Sequence, residues 1–164
     1  MSLPTAVDIS IANQELKNFQ GLSIRHAKPE DLERISAIES QTTAYPCSIK
    51  QLQECIDKIV VLDRDNLVMG FAVIVSVEDQ AELHNIAIIP KAQGSGLGSK
   101  FLKALIIALP AAIEKFYLEV RVSNYRAIRL YQAMGFLKIA ERRDYYRNGL
   151  AREDALVMVR TRSK

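Results

Sequence analysis

The chain has 164 residues, 49% of them hydrophobic, and a formal net charge of +3 at pH 7. This length predicts one domain with a single core, and the small net charge does not favour direct binding of nucleic acid. No apolar run is long enough to cross a bilayer and the N-terminus lacks the order of a signal peptide, so we expect a cytoplasmic protein without a membrane partner.

The first twenty residues allow two interpretations. Val7, Ile9 and Ile11 alternate with polar residues as in a strand, whereas Leu16 and Phe19 fit a short helix. We therefore expect residues 1–20 to be an N-terminal extension of uncertain order, and residues 21–164 to form the folded domain.

A strand over residues 22–27, followed by two short helices, is predicted next. Pro29 suits the first turn of the first helix, which ends before Pro46, and Ser48 is the predicted N-cap of the second. Apolar residues recur at helical spacing in both, and the predicted core faces are Leu32, Ile35, Ile38, Ile49, Leu52 and Ile56.

The rest of the chain predicts six strands and two helices. The strands are expected at residues 59–62, 67–77, 82–89, 116–122, 136–140 and 155–159. One helix runs from Gly96 to Pro110 and the other from Asn124 to Gly135, and residues 142–149 are expected to form a loop. The central strand–helix–strand order predicts an α/β (α+β) domain, in which helices flank a mixed, mostly antiparallel sheet with one parallel crossover.

Three glycines, Gly94, Gly96 and Gly98, lie where a strand gives way to a helix. Glycines let the backbone turn its N–H groups outward, and the helix N-terminus adds free N–H groups, so this loop suits a phosphate or pyrophosphate. The spacing is neither that of a nucleotide P-loop nor that of a dinucleotide-binding fold. The alternative is that the glycines only permit a tight turn and close helix packing.

The segment Gln93-Gly94-Ser95-Gly96-Leu97-Gly98 resembles the Q/R-x-x-G-x-G/A motif of the GNAT family of acetyl-CoA-dependent N-acetyltransferases. The resemblance extends from about residue 22 to residue 159, and its other anchors are residues 83–88, 118–124, 127–131 and 134–136. It is greatest to members that acetylate the N-terminal alanine of a small-subunit ribosomal protein. It implies an enzyme that uses acetyl-CoA as cosubstrate, needs no metal, and transfers the acetyl group directly in a ternary complex.

The resemblance implies two residues for the chemistry. Glu119 would act as the base, through water, although its position alone allows a glutamate on a solvated strand face equally well. Tyr131 would protonate the departing thiolate, although the sequence alone favours a core tyrosine. Glu82 is the competing carboxylate, for which a surface position is favoured.

The resemblance also implies the contacts with acetyl-CoA. The backbone of Ile86, Ala87 and Ile88 is expected to bind the pantetheine arm as an added strand, and Asn124 to hydrogen-bond one of its amides or simply to cap a helix. The pyrophosphate is expected at Gln93, Gly94, Ser95, Gly96, Leu97, Gly98 and Ser99.

The cysteines and histidines predict no further site. Cys47 and Cys55 lack CxxC spacing, which argues against a disulfide framework or a zinc site, and Cys47 is expected to be a small packed residue. His26 and His84 lack ligand spacing and are expected to be structural.

Two departures from the most similar members concern the acceptor. Cys47 stands where tryptophan is usual, and Arg147 where proline is common. The expected partner is a protein N-terminus, that of a ribosomal protein, with residues 142–149 lining the acceptor side. The open alternatives are a small amine, a lysine side chain or an antibiotic as acceptor, or, in another class, a non-catalytic acetyl-CoA sensor.

Overall fold

The computed structural model describes residues 5–163. Within them the helices are α1 (Ile9–Leu16), α2 (Leu32–Thr42), α3 (Ile49–Glu54), α4 (Leu97–Ile107) and α5 (Tyr125–Ala133). The strands are β1 (Leu22–His26), β2 (Ile59–Arg64), β3 (Leu67–Val77), β4 (Gln80–Ile88), β5 (Lys115–Arg121), β6 (Leu137–Asn148) and β7 (Ala151–Thr161). None of these helices is long and apolar enough to cross a membrane.

The seven strands form one sheet in the order β1-β2-β3-β4-β5-β7-β6. Neighbouring strands are antiparallel except β4 and β5, which are parallel and connected through α4. A parallel pair needs such a crossover because the chain must return to the same end of the sheet. The predicted mixed, mostly antiparallel sheet flanked by helices is confirmed.

Helices cover both faces of this sheet. On one face α1 and α4 pack on the strands, and Phe101 and Leu105 of α4 are fully buried. On the other face α2 and α3 contribute Ile35, Ile38 and Leu52 to a second cluster. Each side chain of this size stabilises the fold by about 1.5–3 kcal/mol when it leaves water, so both layers hold the central strands in place.

The described part of the N-terminal extension is a packed helix. The Asp8 side chain caps α1 by accepting from the Ile11 N–H at 3.1 Å. Asn13 both donates to the Ile24 carbonyl at 2.8 Å and accepts from the Ile24 N–H at 2.7 Å, which ties α1 to β1. The strand alternative is therefore wrong for residues 9–16. Residues 1–4 lie outside the described range. The division between an N-terminal extension and a folded domain at residue 21 stays a prediction.

The expected loop over residues 142–149 is wrong, because β6 continues to Asn148 and pairs with β7 as far as Ala151. As an edge strand exposed along nearly its whole length, β6 lacks the apolar alternation by which strands are predicted. Its pairing with β7 is irregular between Arg142 and Tyr146, where Asp144 has a φ angle of 53°. Tyr145 and Tyr146 are thus held on a strand.

The parallel pair opens partway along its length. Pairing between β4 and β5 ends at Leu83 and Leu118, although β4 runs on to Ile88 and β5 to Arg121. The two strand ends beyond this point enclose a gap in the middle of the sheet.

A β-bulge lies at the same level of β4. Val73 of β3 pairs with Asn85, and the next residue, Ile74, pairs with Leu83. His84 is therefore the extra residue of β4, without a partner on β3. Bulges of this kind redirect side chains and are frequent next to active sites.

Gly70 lets β3 approach the far end of β4. It pairs with Ile88, and a Cβ atom at this position would lie 2.5 Å from the Ala87 carbonyl oxygen. Any side chain at residue 70 would therefore displace the stretch of β4 that borders the gap.

Candidate active site

Three adjoining cavities lie in and around the gap between β4 and β5. The first, of about 470 Å³, lies between the glycine loop and α5 and is called the loop cleft. The second, of about 220 Å³, lies between the separated strands and is called the central cavity. The third, of about 520 Å³, is bordered by α2, α3 and β6 and is called the outer groove. The loop cleft and central cavity share Thr42, Ile86, Asn124 and Tyr131, and the central cavity and outer groove share Thr43, His84, Asn85 and Arg121.

The loop that opens α4 presents its backbone to the loop cleft. Gly94 and Gly96 have φ angles of 81° and 82°, a left-handed conformation that other residues rarely adopt. Lys100 is the first α4 residue whose N–H donates within the helix, to the Gly96 carbonyl at 3.1 Å. The N–H groups of residues 97–99 therefore have no helical acceptor, and such a helix N-terminus suits a phosphate.

An unpaired backbone edge of β4 borders the same cleft. The Ile89 N–H donates to the Met69 carbonyl at 2.9 Å, and hydrogen bonding alternates along an antiparallel strand, so Ile86 and Ile88 direct their backbone groups away from β3. The Ile88 carbonyl accepts from the Gln93 side chain at 3.0 Å, which ties the loop to the strand. Ile86 keeps backbone groups that an extended ligand could pair with, as an added strand would.

Most residues predicted to contact acetyl-CoA line the loop cleft, namely Ile86, Ala87, Ile88, Gln93, Gly94, Gly96, Gly98, Ser99 and Asn124. Two others do not. The Leu97 side chain is buried in the core, and the Ser95 hydroxyl donates to the Ala92 carbonyl at 2.5 Å. The backbone of both residues is still available to a ligand, and their assignment to the pyrophosphate stays a prediction.

Arg126 is a residue of the loop cleft that the sequence reasoning missed. Its Nη2 atom lies 3.5 Å from the position that a Cβ atom on Gly94 would take, so the guanidinium faces the glycine loop. Arg126 is in the first turn of α5, where a cation opposes the helix dipole unless an anion is near. That unfavourable placement is the sequence signal that could have identified it.

Asn124 lies at the boundary of the loop cleft and the central cavity. Its Oδ1 accepts from the Ala127 N–H at 3.2 Å and so caps α5, as predicted. The cap uses only the side-chain oxygen, which leaves the amide nitrogen available to a ligand.

Tyr131 lies at the same boundary. It is 7% exposed, and burial raises the pKa of its phenol to about 12. Its ring packs edge-on against Phe136, with the ring centroids 5.8 Å apart. A phenol with this pKa is protonated at neutral pH, which a proton donor requires, and the role itself stays a prediction.

Glu119 lies in the central cavity with its carboxylate engaged. Its Oε1 is 2.7 Å from the Nε of Arg142, and its side chain is 14% exposed. A hydrogen bond to this carboxylate raises the pKa of the Tyr145 hydroxyl. Glu119 must therefore exchange a partner, or act through water, before it can accept a proton from an amine, and its role as base stays a prediction.

Two segments that are distant in sequence meet over the outer groove. The Gly149 N–H, in the turn between β6 and β7, donates to the Tyr45 hydroxyl at 2.8 Å. Tyr145 and Tyr146 stand edge to face with ring centroids 4.9 Å apart, and the Arg121 guanidinium lies 4.5 Å from the centre of the Tyr146 ring. The three tyrosines and Arg121 all line the groove.

Glu39 is a carboxylate of the outer groove that the sequence reasoning missed. It is 3% exposed, and it accepts from the Asn85 side chain at 3.0 Å and from the Cys47 N–H at 3.1 Å. Burial raises the pKa of its carboxyl in spite of these two donors. The available signal was an acid four residues after Ile35, on the buried stripe of α2.

Cys47 and His84 differ from expectation. Cys47 is exposed and lines the outer groove, so the prediction of a small packed residue is wrong. His84, predicted to be structural, lines both the central cavity and the outer groove, and its Nε2 lies 3.4 Å from the Oε2 of Glu82. His26 is exposed at the end of β1 and lines none of the three cavities.

The fold and cavities together define a class of protein. A sheet opened between two parallel strands, with a helix N-terminus that suits a phosphate on one side and a groove lined by tyrosines on the other, fits an enzyme that brings a phosphate-bearing ligand to an acceptor. The chain belongs to the acetyltransferase (GNAT) family, whose model matches residues 24–136.

Curated relatives narrow this assignment. The ribosomal protein bS18-alanine N-acetyltransferase of Escherichia coli K12 is 35% identical over 140 residues, which are 83% of this chain and 95% of that protein. The enzyme of the same name from Haemophilus influenzae is 38% identical over 133 residues, which are 78% of this chain and 90% of that protein. The crystal structure of the Escherichia coli ribosomal-protein-S18-alanine N-acetyltransferase matches with a TM-score of 0.79 at 34% identity, covering 85% of this chain and 93% of that one. The predicted acetyl-CoA-dependent N-acetyltransferase is confirmed.

Proposed function

We propose that this enzyme acetylates the N-terminal α-amine of a protein, and that its acceptor is the N-terminal alanine of ribosomal protein bS18. The observation that carries the proposal is the 35% identity with the Escherichia coli alanine N-acetyltransferase across 95% of that protein. The fold alone would leave the acceptor open, since one fold serves many substrates. A ribosomal acceptor would place the reaction in the cytoplasm.

The loop cleft fits acetyl-CoA. The free N–H groups of residues 97–99 and the Arg126 guanidinium would bind its pyrophosphate. The Ile86 backbone and the Asn124 amide would hydrogen-bond the pantetheine arm. The acetyl thioester would then lie in the central cavity beside Tyr131, which borders both spaces.

The chain's own residues would act at both ends of the transfer. An N-terminal amine has an ordinary pKa near 8, so its deprotonation at pH 7 costs only about 1 kcal/mol, and a positioned base suffices. Glu119 would accept a proton from the attacking nitrogen, directly or through water. Tyr131 would donate its phenolic proton to the sulfur as the carbon–sulfur bond breaks.

The outer groove supports a small N-terminal residue as acceptor. Tyr45, Tyr145 and Tyr146 line it, and the hydrogen bond between Gly149 and Tyr45 bridges it. A chain terminus that enters this groove would meet these rings with its first side chain, and a small residue such as alanine is the proposed one. Cys47 leaves more room here than a large aromatic residue would.

The test is acetyl transfer to a panel of acceptors, followed by mass spectrometry. The panel contains peptides with free alanine, serine and methionine N-termini, a peptide whose only amine is a lysine side chain, and polyamines. Acetylation of the alanine α-amine in preference to the others is expected. Transfer confined to lysine or polyamines would overturn the proposed acceptor. If acetyl-CoA binds but no member of the panel is acetylated, the result would favour a non-catalytic sensor.

A further inference from the structure

In the proposed reaction, the acceptor amine must lose a proton where the outer groove meets the central cavity. Four described residues line both the central cavity and the outer groove: Thr43, His84, Asn85 and Arg121. A hydroxyl and an amide do not accept a proton near neutral pH, and arginine stays protonated. His84 is therefore the one residue of this boundary whose side chain offers a nitrogen lone pair to an ammonium proton.

The fold directs His84 toward this boundary. It is the extra residue of the β4 bulge, and its side chain is 48% exposed. Leu83 and Leu118 pair in parallel and both face the core, so the residues that follow them, His84 and Glu119, share the opposite face of the sheet. The imidazole and the carboxylate thus stand on neighbouring strands.

Glu119 cannot serve this step as freely. It lines the central cavity but not the outer groove, and Arg142 holds its carboxylate at 2.7 Å. His84 has a different partner, the half-exposed Glu82 carboxylate at 3.4 Å, on the side that leads to solvent. Glu82 can therefore receive a proton from the imidazole and pass it to water.

We propose that His84 accepts the first proton of the incoming α-ammonium group and passes it to Glu82 and solvent. The proposal rests on acetyl transfer to an α-amine as the function. The freed nitrogen lone pair then attacks the thioester carbonyl, so that the nitrogen–carbon bond forms and the carbon–sulfur bond breaks. Glu119 takes the second proton from nitrogen, Tyr131 protonates the sulfur and is reprotonated through Glu119 and water, and one proton is released per turnover.

Several charged or titratable groups surround His84 and contribute to the pH dependence of kcat/KM. They come from every element around the boundary: Glu82 of β4, Glu119 and Arg121 of β5, Glu39 of α2, and Tyr145, Tyr146, Arg142 and Arg147 of β6, with Cys47, Cys55 and Lys58 farther along the groove. The test therefore compares complete pH profiles of matched variants.

The experiment measures kcat/KM for an alanine peptide from pH 5.5 to 9 with the wild-type enzyme, His84→Gln, Glu119→Gln and, as the matched control, His26→Gln. Below neutral pH, His84→Gln should lower kcat/KM by about 10- to 100-fold. The loss should shrink toward pH 9, where the amine is already free, while the KM for acetyl-CoA and the thermal unfolding midpoint stay unchanged. His26→Gln should follow the wild-type profile.

A loss that is constant across the pH range, or activity equal to wild type, would overturn the role of His84, since a packing defect does not depend on the state of the amine. The wild-type protein tests the proposed function separately. If it acetylates another amine of the panel instead, the same comparison is made on that amine, and only the acceptor is overturned. A protein that acetylates no amine would overturn both.

Discussion

Glu39 links three segments through one buried carboxylate. It is on α2, it accepts from the side chain of Asn85 on β4, and it accepts from the backbone of Cys47 in the connection between α2 and α3. Asn85 immediately precedes Ile86, whose backbone borders the loop cleft. We infer that Glu39 is a positioning residue that holds the wall of the outer groove against the strand proposed to bind acetyl-CoA.

The raised pKa of Glu39 has a definite effect on stability. Because the folded-state pKa lies above the unfolded one, the stability linked to this group is present at low pH and is lost as the pH rises through the folded-state pKa. Glu39→Gln replaces one carboxylate oxygen with an N–H₂ group, which faces either the Asn85 side chain or the Cys47 N–H, both of them donors. This substitution should lower the free energy of unfolding by about 1–3 kcal/mol. The stability advantage of wild type over this variant should therefore shrink as the pH rises, as measured by urea unfolding from pH 4 upward.

The control is Glu33→Gln, on the exposed face of the same helix. This variant keeps Glu39, so its stability advantage over Glu39→Gln should shrink with rising pH as that of wild type does. An advantage of wild type that grows with pH would mean that the Glu39 carboxylate is stabilised in the folded protein.

Tyr131 should affect the chemical step more than binding. Burial raises the pKa of its phenol to about 12, so the group stays protonated well above neutral pH and can supply the proton that the thiolate needs. Tyr131→Phe should lower kcat by about 100-fold, with little change in acetyl-CoA affinity, as judged by steady-state kinetics and calorimetry. Tyr117→Phe is the matched control, because Tyr117 is on β5 outside the three cavities. Equal turnover by the two variants would contradict the assignment.

Among the elements, β4 does most to form the site. Gly70 on β3 permits its close approach, the bulge sets the position of His84, and separation from β5 leaves the Ile86 backbone unpaired. The glycine loop then follows directly and is tied back to β4 by Gln93. One continuous stretch of chain therefore carries the whole surface proposed to bind the pantetheine arm and the pyrophosphate.

The glycine loop can be tested with two glycines of the same conformation. Gly96 and Gly149 both have positive φ angles, 82° and 62°, and an added Cβ atom at either would have no neighbour within 4 Å. Gly96→Glu places a carboxylate where the phosphates should bind, and like-charge contact costs several kcal/mol, so acetyl-CoA binding should weaken by about 100-fold. Gly149→Glu introduces similar backbone strain outside the loop cleft and should bind acetyl-CoA normally. Equal affinities in calorimetry would remove the loop from the binding site.

Across the whole molecule, local features could be predicted from the sequence and long-range ones could not. Gly94 and Gly96 are required by their own backbone conformation, and apolar periodicity places the helices and the central strands. The Tyr45–Gly149 contact joins positions 104 residues apart, and His84 reaches the groove only because β4 and β5 diverge at a bulge. Such placements arise from tertiary packing, which local pattern does not encode.

The central claim is tested most directly with the whole acceptor protein. Ribosomal protein bS18 with a free N-terminal alanine is incubated with the enzyme and acetyl-CoA, and the modified position is located by tandem mass spectrometry. A bS18 variant that begins with a retained methionine is the control. We expect one acetyl group on the alanine α-amine and none on lysine side chains. Acetylation of lysines alone, or an unmodified protein when acetyl-CoA is bound, would contradict the account.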